Sequence, residues 1–115
     1  MKYLLSALAL FVTLGVAQAH THLKSSKPAD QAVLAVAPKE VTLQFSEPTR
    51  LTAVTVQKEG EKNEAKLSGL PKEATVEVTL PVTITAPGDY KLNWRAVGPD
   101  NHVMSGSIRF TVSAK

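Results

Sequence analysis

Apolar and polar residues alternate strictly along much of this chain, and that alternation is its strongest structural constraint. The alternating segments cover Val41–Phe45, Val54–Gln57, Val76–Leu80, Tyr90–Ala96 and Ile108–Val112. A period of two residues is typical of a β-strand that buries one face. No segment between residues 20 and 115 shows helical periodicity over a useful length, so we predict an all-β domain.

Turn-forming residues separate the alternating segments. Proline, glycine, asparagine or aspartate occur at 28–30, 38–39, 47–48, 60–63, 68–69, 87–89 and 98–100. We add a short first strand near Leu23 and a weak one near Leu67, which brings the total to about seven. Many short strands with regular turns favour a single antiparallel Greek-key β-sandwich. Pro48 is expected to end the strand that begins at Val41.

The first 19 residues have the pattern of a secretory signal peptide. Lys2 precedes an apolar run over Leu4–Val16, and Ala17-Gln-Ala19 has the small-x-small form of a cleavage site. The alternative is an uncleaved membrane anchor, but the run is shorter than the roughly 20 residues that a span requires. We expect cleavage after Ala19, leaving residues 20–115 as one exported domain that is not embedded in the membrane.

Cysteine is absent, which excludes disulfides, zinc knuckles, iron–sulfur clusters and thiolate-ligated blue copper. A formal net charge of +3 is too small to indicate a nucleic-acid binder. The three histidines are therefore the main candidates for functional side chains. Cleavage would make His20 the first residue, whose α-amine and imidazole can chelate one ion. Nitrogen-rich tetragonal geometry favours Cu(II).

Other candidate ligands follow from spacing. Asp100 and His102 are two residues apart, and in an extended segment their side chains point the same way. Taken alone, this pattern is weak. Three interpretations of Glu47 stay open: a further ligand, a group that orients a ligand, or a plain surface residue. His22 is a solvated residue, an outer ligand, or part of a local chelate with the terminal amine and two backbone amides.

Four segments together resemble the CopC family of periplasmic copper-resistance proteins. They read His20-Thr-His-Leu-Lys-Ser-Ser-Lys-Pro-Ala, Val41-Thr-Leu-Gln-Phe-Ser-Glu-Pro, Gly88-Asp-Tyr-Lys-Leu-Asn-Trp-Arg-Ala-Val, and Asp100-Asn-His-Val-Met-Ser-Gly-Ser-Ile-Arg-Phe-Thr-Val. The resemblance covers the whole mature chain. It implies a cupredoxin-like or immunoglobulin-like β-sandwich that carries one Cu(II) ion in the periplasm.

The resemblance also implies a ligand set and a partner. The family's site falls on His20, Asp100 and His102, with Glu47 nearby, and His22 matches a second histidine found in many members. A CopD-type transporter in the inner membrane is the implied partner. Some members hold Cu(I) with a methionine-rich loop. The mature chain has only Met104, so we expect a monomeric Cu(II) protein without a separate Cu(I) site.

Two other functions remain as alternatives. One is a copper-dependent oxidative enzyme with an N-terminal histidine brace, and the other is an interaction module that binds no metal. An oxygenase acting on polysaccharides needs an open copper position and a flat substrate surface, usually with exposed aromatic residues. The four aromatic residues after the leader are predicted in the core, with Trp94 as its anchor: Phe45, Tyr90, Trp94 and Phe110. We therefore expect a non-catalytic protein.

Overall fold

The computed structural model describes residues 21–113, which form seven β-strands and no helix. The strands are β1 Leu23–Lys27, β2 Ala32–Leu34, β3 Glu40–Lys58, β4 Ala65–Lys66, β5 Thr75–Pro81, β6 Gly88–Val97 and β7 Val103–Val112. Within this part of the chain, no helix has the length and apolarity that a membrane span requires. The all-β prediction is confirmed. The predicted leader, residues 1–19, and His20 lie outside the described residues.

Two sheets share the long strand β3. Its first part, residues 40–49, pairs with β1 and β5, and its second part, residues 50–58, pairs with β4 and β6. The second sheet continues through β7 to β2. The resulting order β1-β3-β6-β7-β2 is non-sequential, as expected when connections cross between the layers of a sandwich.

The change of sheet occurs around Pro48, where sequence reasoning placed the end of a strand. That expectation is wrong, because β3 continues through Pro48 to Lys58. The pairing register shifts between Gln44 and Thr49 and again between Leu51 and Ala53. Proline cannot donate a backbone hydrogen bond, and irregular pairing accommodates it. The strand therefore bends into the other sheet rather than stopping, as strands do at sandwich corners.

The predicted count of seven strands is met by a different set. The expected strands at Val41 and Val54 are the two parts of β3, while β2 was not foreseen. Three residues are too few to show alternation, and β2 runs parallel to β7, with Ala32 opposite Phe110. The other strand pairs are antiparallel. A parallel pair needs a long connection, and most of the domain separates these two strands.

The core consists of the inward positions of both sheets, as the alternation predicts. The buried residues of the predicted strands are Val41, Leu43, Phe45, Val54, Val56, Val78, Leu80, Tyr90, Leu92, Trp94, Ala96, Ile108, Phe110 and Val112. Val76 was expected among them but is 47% exposed. It lies in the stretch of β5 where the register with β3 is irregular, so the alternation does not carry its side chain inward.

Trp94 anchors the core through two close contacts. Its ring meets Phe45 edge to face, with ring centroids 5.3 Å apart. Gly106 stands directly opposite Trp94 in the β6–β7 ladder, where a Cβ atom would lie 2.7 Å from Cζ2 of the indole. The absence of a side chain at residue 106 therefore makes room for the ring.

Replacing Gly106 with alanine is expected to destabilise the fold. The added methyl overlaps the Trp94 ring, and overpacking of this kind costs about 1–3 kcal/mol. Chemical unfolding followed by tryptophan fluorescence measures the effect. Ser107→Ala is the control, because Ser107 is exposed on the same strand and its loss should change stability by less than about 0.5 kcal/mol. Equal stability of both variants would contradict the packing argument.

Candidate metal site

A tight turn between β6 and β7 presents the Asp100–His102 pair. The amide of Asn101 donates to the carbonyl of Gly98 at 3.0 Å, and the amide of Gly98 donates to the carbonyl of His102 at 3.0 Å. Pro99 suits the second position of such a turn because its ring fixes φ. Asn101 has φ of 65°, a left-handed conformation that asparagine tolerates. The local sequence thus explains the turn.

Asp100 and His102 are in direct contact, as their spacing predicts. Nδ1 of His102 lies 2.6 Å from Oδ2 of Asp100, and the His102 amide donates to Oδ1 at 3.2 Å. These hydrogen bonds, the side-chain one above all, hold the pKa of Asp100 below its ordinary value. Both side chains are largely exposed, at 61% for Asp100 and 82% for His102. The pair is a charged, open-faced nitrogen–oxygen site.

The N-terminal segment runs antiparallel along β3 until it reaches Glu47. Leu23 stands opposite Phe45, and His22 exchanges hydrogen bonds with Ser46, whose hydroxyl accepts at 3.0 Å and whose amide donates at 2.9 Å. One residue earlier, the Thr21 hydroxyl donates to Oε2 of Glu47 at 2.7 Å. The described chain therefore begins beside the corner of β3.

Thr21, the first described residue, and the β6–β7 turn meet over Gly98. A Cβ atom on Gly98 would lie 3.2 Å from Oδ1 of Asp100, 3.5 Å from the Thr21 hydroxyl and 3.5 Å from the terminal methyl of Met104. These three groups thus surround one small volume. Met104 is partly buried and packs against the core. Two parts of the chain that are distant in sequence, Thr21 and residues 98–104, therefore meet at this point.

The predicted ligands are brought together only in part. Within residues 21–113, no three histidine, aspartate or glutamate side chains are grouped so that they could hold a metal ion. Neither Glu47 nor His22 therefore completes a three-ligand set with the Asp100–His102 pair. His22 is exposed, and its backbone is hydrogen-bonded to Ser46 of β3. His20 lies outside the described residues, so its role stays a prediction.

Sequence reasoning missed Thr21 and Gly98. Threonine beside a candidate N-terminal ligand is no motif, and Gly98 appeared only as a turn residue. Their importance depends on contacts across the fold, since Thr21 and Glu47 are separated by 26 positions. The only local signal was the position of Thr21 directly after His20.

Fold and site together define a small β-sandwich protein with an exposed carboxylate–imidazole pair at one end, next to its N-terminal segment. The sequence profile of the CopC domain matches residues 23–113. The chain belongs to the CopC family, as its resemblance to that family predicted.

Curated relatives agree with this assignment. Copper resistance protein C of Escherichia coli is 36% identical and aligns over 84% of this chain and 83% of its own length. Copper resistance protein C of Pseudomonas syringae pv. tomato is 36% identical over the same shares. Protein YobA of Escherichia coli K12 is 29% identical over 97% of this chain and 94% of its own.

Solved structures share the fold. CopC from Methylosinus trichosporium OB3b superposes with a TM-score of 0.67 at 25% identity, covering 82% of this chain and 94% of that one. PcoC, a methionine-rich copper resistance protein from Escherichia coli, superposes with a TM-score of 0.60 at 27% identity. That match covers 83% of this chain and all of PcoC.

Proposed function

We propose that this protein binds one Cu(II) ion per mature chain in the periplasm and sequesters or delivers it without catalysis. The amine and imidazole of His20, the Asp100 carboxylate and the His102 imidazole are the proposed ligands. The observation that carries the proposal is the contact of Asp100 with His102 beside Thr21, the residue covalently bonded to His20.

Covalent geometry supports the inclusion of His20. The Thr21 hydroxyl and Asp100 Oδ1 lie within 3.5 Å of the same point over Gly98, and adjacent α-carbons are about 3.8 Å apart, so the proposal takes His20 as the residue that can reach the Asp100 carboxylate. An amine, two imidazoles and a carboxylate form a nitrogen-rich donor set. Such sets favour Cu(II), which also stands high in the divalent affinity series. The full set depends on removal of the leader, since a peptide nitrogen cannot replace the free amine.

Copper in the reduced state is a poorer fit to this chain. Soft thioether ligands select Cu(I), and the sequence contains two methionines, of which Met1 belongs to the predicted leader. The remaining Met104 packs against the core. PcoC, by contrast, is described as methionine rich. We therefore propose Cu(II) as the cargo, without a separate Cu(I) site.

A carrier role agrees better with the surface than an oxidative one. Phe45, Tyr90, Trp94 and Phe110 are all buried. Among residues 21–113, the large hydrophobic side chains that are exposed are all valines. No aromatic platform for a polymeric substrate therefore lies on the described surface. We further propose that the protein acts as a monomer and exchanges copper with a CopD-type transporter in the inner membrane.

Titration of the mature protein with Cu(II), followed by calorimetry and electron paramagnetic resonance, tests the proposal. We expect one tightly bound ion per chain and a spectrum of nitrogen–oxygen coordination. Intact mass must first establish that the chain begins at His20. The absence of stoichiometric uptake by a protein with that terminus would overturn the proposal.

Acidification is expected to release the copper. Between pH 8 and pH 5, protonation of an α-amine with a pKa near 8 alone weakens binding about 500-fold. Asp100 stays ionised throughout, because hydrogen bonding to His102 lowers its pKa. Competition titrations with a chelator at several pH values measure the affinity.

The matched variant for this pH prediction is Asp100→Asn. Because Asp100 carries its charge across the whole interval, the variant should bind more weakly at every pH while keeping the same slope between pH 5 and pH 8. An affinity of the native protein that stays flat over this interval would contradict the assignment of amine and imidazole ligands.

A further inference from the structure

The hydrogen bonds that hold His22 and Thr21 to β3 differ in type. At His22 the tie consists of hydrogen bonds between its backbone and Ser46. At Thr21 the tie is a side-chain bond, from the hydroxyl to Oε2 of Glu47 at 2.7 Å, and both residues are half-buried. This hydrogen bond is therefore placed where it can control the direction of the residue that precedes Thr21.

Glu47 is a firm support for that bond. Its backbone carbonyl accepts a hydrogen bond from the Thr49 hydroxyl at 2.8 Å, and Thr49 is fully buried. The next residue, Pro48, has its φ angle fixed by the ring. The Glu47 carboxylate is thus anchored at the corner of β3, where the strand passes from one sheet to the other.

The bond also faces the proposed copper site. The Thr21 hydroxyl and Oδ1 of Asp100 both lie within 3.5 Å of the same point above Gly98. Glu47 contributes one of its oxygens to Thr21 rather than to a cluster with Asp100 and His102, since residues 21–113 contain no such three-ligand group. The geometry connects Glu47 to the site through Thr21.

We propose that Thr21 is a positioning residue for copper capture and that Glu47 acts through it, not as a metal ligand. The proposal rests on the proposed function. The Thr21–Glu47 hydrogen bond holds Thr21 beside Asp100 before copper arrives, which restricts the directions open to the residue bonded to it. Binding then loses less conformational entropy than it would with a freely moving terminus, and preorganisation of this kind raises affinity.

Valine at position 21 tests the hydroxyl, because it keeps the side-chain shape and removes the donor. We expect Thr21→Val to bind Cu(II) about five- to tenfold more weakly, the usual effect of losing one hydrogen bond. Thr21→Ser keeps the donor and should bind like the native protein. Thr79→Val is the control, since Thr79 is exposed and pairs with Thr42, in another part of the fold.

A second readout uses the copper-free protein. In Thr21→Val, the backbone amide at position 21 should become more mobile, with its NMR order parameter falling from near 0.85 toward 0.6. The unfolding midpoint should stay unchanged, because the terminus adds little to the core. If Thr21 were purely structural, Thr21→Val would lower the unfolding midpoint and leave the order parameter at position 21 unchanged. Thr21→Ser would then restore no copper affinity.

A double-mutant cycle with Glu47→Ala separates positioning from ligation. If Glu47 acts through Thr21, the double variant binds no more weakly than Glu47→Ala alone. Additive losses, with a much larger effect of Glu47→Ala, would make Glu47 a ligand and overturn the inference. Equal affinity of Thr21→Val and native protein would overturn it as well. If the native mature protein takes up no Cu(II), the proposed function fails together with this inference.

Discussion

Replacing His102 with alanine is expected to weaken Cu(II) binding by more than about a hundredfold. Loss of a group that merely orients a ligand already costs 10–100-fold, so loss of a direct ligand should cost more. His102 is also the hydrogen-bond partner of Asp100, and its removal leaves that carboxylate unsupported. Competition with a chelator of known affinity measures the change.

The matched control is His22→Ala. His22 is exposed, and its backbone is hydrogen-bonded to Ser46 of β3, so this variant should stay within about threefold of the native affinity. The reverse result would relocate the metal. If His102→Ala binds like the native protein and His22→Ala does not, copper occupies the local chelate of terminal amine, two amides and His22. The fold would then contribute little to the site.

Masking the α-amine of His20 is expected to weaken Cu(II) binding by a similar factor, more than about a hundredfold near neutral pH. A protein that retains four leader residues, beginning at Val16, provides the test. The four-residue extension places no histidine among the first three positions, so no new local amine–amide–histidine chelate can form. An extension of one or two residues would create such a chelate and confuse the result.

The extended protein carries its own control, because its fold should be unaffected. Its unfolding midpoint and its tryptophan fluorescence should match those of the protein that begins at His20. Equal copper affinity of the two proteins would show that the amine is not a ligand. The site would then need a different nitrogen donor beside the Asp100–His102 pair.

Strand positions were largely predictable because alternation is a local property. Val41, Leu92 and Phe110 point inward as their pattern predicts, since successive side chains of a strand face opposite sides. The prediction failed where pairing was irregular. Pro48 bends β3 instead of ending it, and Val76 is exposed beside the same irregular register. Irregular register arises from two strands together, so one segment cannot reveal it.

In the candidate site, too, local contacts were predictable and contacts between distant segments were not. Asp100 and His102 were predictable as a pair because two-residue spacing and a turn-forming sequence bring their side chains together. Glu47 was named without a decision between ligand and orienting group. Its partner Thr21 was not foreseen, because their contact joins residues 26 positions apart.

From the sequence alone, the all-β fold, the family resemblance and the nitrogen–oxygen donor set could be predicted. These properties follow from residue types and from spacing within short segments. The tertiary structure decided that Thr21 binds Glu47 and lies beside Asp100 over Gly98. The physical reason is that β3 changes sheets just after Glu47, and its pairing with β6, which sets Arg50 opposite Val97, brings that corner to the β6–β7 turn.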